Sequence, residues 1–309
     1  MGTVQPLEAT PCTTDTYYLG ESARFDEIRQ ELYWVNIDRT AGTFYRAHAT
    51  GSDVTIVAQY TLPGSLTAVA PYEQREDGWV VACDDSLLHL ALDGSYSVLA
   101  RPEAHNGGAV RTNDGAADPW GSFWVGSMAR DAEVGRASLY RFHESAPVET
   151  VFEELTIANG LGWSPDARTM YFVDSGPGTI HSYDVDDAGD ISGQRLFARF
   201  DVPTEGAPDG LCVAADGTLW VAVWGGSEVR QYAPTGERLA TVRLDTSQPS
   251  CCTIGGANGT TLYITTAQED MSDAQLSAEP NAGRLFSVDI GVPGLPLAPY
   301  RPQRRERLF

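Results

Sequence analysis

Six short apolar runs recur along the chain, each ending on an aromatic residue followed by a β-branched one, and each preceded by a turn-like cluster. They are ELYWV ending at Val35, DGWVV at Val81, GSFWV at Val125, TMYFV at Val173, GTLWV at Val221 and TLYIT at Thr265. The marker aromatics Trp34, Trp79, Trp124, Phe172, Trp220 and Tyr263 stand 45, 45, 48, 48 and 43 residues apart. That period is the length of a propeller blade. A second run follows each first one, at 43–48, 87–92, 139–144, 180–185, 229–234 and 285–290, and these alternate polar and apolar residues as half-buried antiparallel strands do. Turn formers such as Asp93-Gly94 and Thr235-Gly236 separate the repeats, and no ten-residue stretch carries a helical period. Six repeats of about 46 residues therefore predict an all-β fold, a six-bladed β-propeller of four-stranded blades. A β-sandwich would not place six registers at such even spacing. The expected organisation is one propeller domain over 1–309, with repeats from about 18 to 296 and short extensions at both ends.

Repeats that superpose carry residues of equal offset to one ring around the central axis. Eleven to 13 residues before the marker stand Glu21, Asn113, Asn159 and Asp209 in repeats one, three, four and five. Repeats two and six hold Leu66 to Ala68 and Cys251 with Cys252 there. A single Asn-Gly or Asp-Gly is ordinarily a turn. Four oxygen-bearing side chains in register, within NDG at 113–115, NGL at 159–161 and DGL at 209–211, predict instead a compact polar cluster. Unpaired, it would be costly to desolvate, and a hard divalent cation resolves that cost. Oxygen donors without His or Cys suit Ca²⁺, Mg²⁺ or Mn²⁺. Arg111, two residues before Asn113, shares its face if the stretch is extended. The plain alternative for Arg111 is a rim salt bridge.

These residues fall in strings that resemble the senescence-marker protein, gluconolactonase and regucalcin family. The strings are GESARFD (20–26), RTNDGAADPWGSFWVGSMA (111–129), IANGLGWSPDARTMYFVDS (157–175), GAPDGLCVAADGTLWVAVW (206–224), PSCCTIGG (249–256) and LYITTA (262–267). The resemblance runs from about residue 18 to 296. It implies a six-bladed propeller with one divalent ion held by Glu21, Asn159 and Asp209, and hydrolysis of a small-molecule sugar lactone. It also implies that Arg111 and Asn113 bind substrate, as does Asp131, which stands where many relatives have a Glu that contacts sugar hydroxyls. Zn²⁺ joins Ca²⁺, Mg²⁺ and Mn²⁺ as a candidate ion, since the family accepts several. An ion beside a lactone carbonyl polarises it, and Asp209 is the expected general base for the attacking water. Two alternatives stay open: a calcium- or metabolite-binding propeller without turnover, and a hydrolase of non-sugar lactones or esters.

Other chemistries find no support in the residues. The chain lacks GxSxG, HExxH and GxGxxG motifs. All 21 of its basic residues are Arg, so Schiff-base lysine and Walker A mechanisms are excluded. With 42 acidic residues the formal charge is −21, which repels phosphate backbones and anionic lipid and argues against nucleic-acid and membrane partners. Five cysteines without a CxxC, and no basic-then-apolar leader, give cytoplasmic localisation as the expectation. Cys251 and Cys252 have no His in register and are expected to pack in blade six. His105 is expected to cap a turn. The acidic segment 267–283 interrupts repeat six and reads as either a lid or an inert insertion. Oligomeric state is left open by the sequence.

Overall fold

The computed structural model describes residues 7–303. Their strands form six sheets arranged as a six-bladed β-propeller. Blade one is Gly20–Asp26, Glu31–Asn36, Ala41–Thr50 and Asp53–Pro63; blade two is Leu66–Pro71, Trp79–Cys83, Ser86–Leu90 and Tyr96–Ala100. Blade three is Val110–Ala117, Phe123–Ala129, Ala137–Phe142 and Glu149–Leu155; blade four is Ala158–Trp163, Thr169–Asp174, Thr179–Val185 and Ile191–Arg199. Blade five contains Ala207–Val213, Leu219–Trp224, Glu228–Tyr232 and Arg238–Arg243. The sixth repeat contributes only Pro249–Gly255, Thr261–Thr266 and Phe286–Asp289.

The fourth strand of blade six comes from the start of the chain. Thr10–Pro11 pairs antiparallel with Phe286–Asp289, matching Thr10 to Ser287 and Pro11 to Phe286. Next to it, Leu7–Glu8 adds a parallel fifth strand to blade five. Joining the first residues to the last blade ties the ring shut and covers an edge that would otherwise be open to pairing.

The apolar runs are continuous rather than alternating because each lies in the second strand of a blade, with a neighbouring blade on both faces. Successive side chains point to opposite faces. Thus Tyr33 packs with Trp79 and Val81 of blade two, while Trp34 packs with Tyr263 of blade six. All six marker aromatics are buried. Burial then fades outward: Gly20–Asp26 is buried throughout, whereas the outer strand Ile191–Arg199 is mostly exposed. The core is therefore six interblade layers around the axis rather than one central cluster.

After Asp289 the chain crosses the end of the channel where the inner strands finish. Leu295 and Leu297 line a cavity of about 330 Å³ there together with Phe25, Trp163, Leu211 and Ile254. The Leu297 N–H donates to Glu27 Oε2 (2.9 Å), and Arg301 Nε donates to Glu73 Oε1 (2.9 Å). This strap crosses one mouth of the channel, and the other mouth lies where the inner strands begin. No helix among the described residues is long and apolar enough to cross a membrane.

Candidate active site

Every inner strand carries one extra residue near its start. Glu21 and Arg24 pair with Val35 and Tyr33, so three steps on one strand face two on the other. The same slip lies between Thr112 and Gly115, Ala158 and Leu161, and Pro208 and Leu211. Blades two and six have it between Leu66 and Ala68 and between Pro249 and Cys251. A bulge breaks the strand's alternation and re-aims a side chain. In three blades it holds Asn113, Asn159 and Asp209, in blade one it begins at Glu21 and holds Ser22 and Ala23, and in the other two it holds Thr67 and Ser250. Thr67 Oγ1 lies 3.0 Å from Thr112 Oγ1, and Ser250 Oγ donates to the Gly20 carbonyl, so these small hydroxyls stitch neighbouring inner strands together.

The NDG, NGL and DGL strings therefore sit in bulged strands, not in turns. Their glycines answer to crowding at the axis. A Cβ on Gly160 would lie 2.6 Å from the Asp209 carbonyl oxygen, and one on Gly210 would lie 2.5 Å from Cys251 Sγ. Beside Glu21 the bulge instead forces Ser22 to a φ of +51°, and its N–H donates to Glu21 Oε2 (2.8 Å). That bond holds the carboxylate in place.

A cavity of about 300 Å³ opens at this end, with Glu21, Arg111, Asn113, Asn159 and Asp209 all in its wall. Each of the five is buried. A relay of hydrogen bonds orients the amides: Arg111 Nη1 donates to Asn113 Oδ1 (2.7 Å), and Asn113 Nδ2 donates to Asn159 Oδ1 (3.0 Å). Asn159 Nδ2 then donates to Ser175 Oγ (2.9 Å), which donates to the Pro208 carbonyl (2.6 Å). With its NH₂ committed, Asn159 presents Oδ1 to the cavity with a lone pair to spare.

Charge is poorly compensated there. Asp209 Oδ1 is buried without a hydrogen-bond partner. Burial, then the Glu21 and Asp114 carboxylates, pushes the Asp209 carboxyl well above its ordinary value. Burial and then Asp114 push Glu21 up to about 8, against the pull of the Ser22 N–H, Arg24 and Arg111. Asp114 itself lies deeper and pairs with Arg24 (3.1 Å), whose second partner is the Gly115 carbonyl (2.8 Å). Burial lowers the Arg111 guanidinium to about 10. Two buried carboxylates and an amide oxygen, one carboxylate oxygen having no proton donor, form a hard, oxygen-only set that fits a divalent cation. Among the described residues no group of three or more His, Cys, Asp or Glu side chains is placed to hold an ion, so the amide oxygen is needed to complete the set.

The structure does not bring Asp131 to this cavity. It is exposed on the loop after blade three's second strand, where its Oδ1 accepts the Glu133 N–H (3.2 Å). The chain turns away there, with Ala132 at a φ of +56°. Its neighbour Arg130 lines the cavity instead and pairs with Asp84 (2.6 Å). His105 is exposed in a single 3₁₀ turn, Ala104–Asn106, as a turn residue. Cys251 and Cys252 are fully buried, and burial drives both thiols far up, so neither is a thiolate nucleophile.

Segment 267–283 forms a built wall. Gln268 N–H donates to the Tyr18 carbonyl (2.8 Å), Gln248 Nε2 to the Glu269 carbonyl (3.0 Å), and Ser272 with Gln275 caps the helix Asp273–Ala278. It brings Glu269 into the cavity beside Tyr18 and Arg39. Repeat comparison misses these three because they lie in connections, outside the repeated strands.

Residues 19–268 match the family described as the SMP-30/gluconolactonase/LRE-like region. The chain is 34% identical over 289 residues to the L-arabinolactonase of Azospirillum brasilense, covering 91% of this chain and 92% of that protein. It is 35% identical over 291 residues to bovine (Bos taurus) regucalcin, covering 92% and 95%. Among solved structures, regucalcin from Agrobacterium tumefaciens, described as a calcium-binding protein, superposes with a TM-score of 0.87 at 28% identity, over 97% of this chain and all of that one. With the blade order, the bulged inner strands and the matched residues in agreement, the chain belongs to the SMP-30, gluconolactonase and LRE-like family.

Proposed function

We propose that this protein hydrolyses a sugar lactone to its aldonic acid in the cavity built from Glu21, Arg111, Asn113, Asn159 and Asp209. The observation that carries the reading is the pair of buried carboxylates, Glu21 and Asp209, the second raised by the first and left with an unpartnered oxygen, beside a fixed Arg-Asn relay. Family membership and an L-arabinolactonase relative support the substrate class.

Glu21, Asn159 and Asp209 would hold one divalent ion, and calcium is the ion that the regucalcin neighbour's description favours. When bound, such an ion supplies Lewis-acid polarisation of the carbonyl and stabilises negative charge developing on its oxygen. Arg111 and Asn113 bind and orient the lactone. Asp209 takes a proton from water as the water oxygen bonds to the carbonyl carbon; the ring C–O bond then breaks, and the departing ring oxygen takes that proton back from Asp209 and leaves as a hydroxyl. Asp131 has no place in this scheme, because it lies outside the cavity.

Proton release on adding glucono-, galactono-, arabinono- and xylonolactone, with and without chelator, tests the reading. Chelator-sensitive acidification on at least one is expected, with Asp209→Asn reducing kcat by about 10²-fold or more while the protein keeps its metal by elemental analysis. No chelator-sensitive acidification on any lactone favours a non-catalytic binding propeller. Near-normal turnover of the metal-loaded Asp209→Asn protein removes Asp209 as the base.

A further inference from the structure

The cavity has two ends of different chemistry. Glu21, Asn159 and Asp209 are buried and make the inner end, while Tyr18, Arg39, Arg130 and Glu269 are half-buried or exposed and make the outer one. A lactone whose carbonyl enters the inner end leaves its ring hydroxyls at the outer one. Hydroxyls donate as well as accept, so a selective outer end needs an acceptor. Donors are plentiful there, but Arg130 is already paired with Asp84. Among the lining residues only Glu21, Asp209 and Glu269 carry carboxylates, and the first two belong to the inner end.

We propose that Glu269 is the residue that selects polyhydroxylated lactones, its carboxylate accepting hydrogen bonds from ring hydroxyls in the cavity that it shares with the donors Arg111 and Arg39. This inference rests on the lactonase reading. Glu269 is half-buried, and its carboxylate makes no hydrogen bond or ion pair with any described residue. Arg111 and Arg39, which line the same cavity, attract its negative charge, and the neighbouring Asp270 carboxylate repels it. Its backbone is held on both sides, by the Gln268 N–H on the Tyr18 carbonyl and by the Gln248 side chain on its own carbonyl. Asp270, next in the turn, takes a φ of +55°, and the Met271 N–H closes the turn on the Gln268 carbonyl (3.2 Å). The acceptor is therefore carried on a fixed stretch of backbone, is partly desolvated, and has its carboxylate free to pair with a ligand. A ring with adjacent hydroxyls satisfies it, whereas an unsubstituted ring would cover it without pairing it, which is the basis of strong discrimination. The sugar-hydroxyl role that the family resemblance implies for Asp131 thus falls, in this proposal, to a residue on the opposite side of the propeller ring.

Two readouts test it. In calorimetric titration of the metal-loaded protein with D-glucitol, an unreactive polyol, Glu269→Gln is expected to weaken binding about tenfold or more, and Asp131→Ala not at all. In hydrolysis assays Glu269→Gln and Glu269→Ala should lower kcat/KM for gluconolactone about tenfold or more, mainly through KM, and leave δ-valerolactone within about twofold. Unchanged glucitol affinity in Glu269→Gln overturns the proposal, as does an equal loss on both lactones. A protein that binds glucitol through Glu269 but opens no lactone retains the inference and overturns the hydrolase reading.

Discussion

Metal-free protein should lose stability as pH rises, and the burial of Glu21 sets the size of the effect. Its carboxyl is pushed from 4.5 up to about 8, by burial first and Asp114 second. An acid whose pKa is higher in the folded than in the unfolded state contributes stability while protonated. That contribution is whole below the unfolded value and is lost as pH climbs through the folded one. The interval from pH 6 to pH 8 lies between the two values, where linkage approaches 1.36 kcal/mol per pH unit, so Glu21 alone removes about 2 kcal/mol there. Asp209, raised by burial and by Glu21, acts in the same direction. For a chain of this size the loss corresponds to a fall of roughly 4 °C in Tm. The assay is calorimetric unfolding of EDTA-treated protein at fixed ionic strength, beside Glu21→Gln, which keeps the shape and removes the titration. The wild-type minus variant difference cancels surface histidines and leaves the titration of Glu21 together with the part of the Asp209 shift that Glu21 causes. A dication competes with the protons on these carboxylates, so its stabilising effect should grow with pH and level the slope. A wild-type minus variant difference that stays constant within about a degree between pH 6 and pH 8 would refute the argument.

Two further substitutions probe the supports beneath the cavity. Asp114→Asn leaves the buried Arg24 guanidinium without its carboxylate, a loss of about 3 kcal/mol by thermal or denaturant unfolding, at the low end for a broken buried pair because the Gly115 and Ala23 carbonyls still accept from Arg24. An unchanged midpoint would show that the pair does not hold the inner strands. Gly210→Ala sets a methyl carbon 2.5 Å from Cys251 Sγ and 2.7 Å from its Cα, so about 1–3 kcal/mol of overpacking is expected, and the companion Cys251→Ala should restore part of it. If the double variant is no more stable than Gly210→Ala alone, the crowding lies elsewhere.

Much of this fold is legible because a propeller repeats itself. Each marker aromatic had to fill a layer between two blades, and the same demand six times over writes the same string six times. The axial residues follow from that register, and Glu21, Asn113, Asn159 and Asp209 do meet in one cavity with Arg111. Thr67 and Ser250 are less visible: a hydroxyl between apolar or thiol neighbours gives no period, and only the bulge identifies it. The turn reading of a lone Asn-Gly was overcome by counting repeats, yet the reason for those glycines, neighbouring strands within contact at the axis, is purely spatial.

By itself the sequence determined the blade number, the inner-strand positions and the oxygen-rich ring, because periodic burial leaves a periodic trace. Tertiary structure alone decided three other matters. It gave blade six its outer strand from Thr10–Pro11, a pairing between opposite ends of the chain that no local pattern encodes. It placed Asp131 on the surface, because one turn after Arg130 takes the chain outward. It also carried Glu269 into the cavity through contacts with Tyr18 and Gln248, which lie far from it along the chain. Loops owe their course to what they touch, and those contacts leave no periodic mark in the residues that make them.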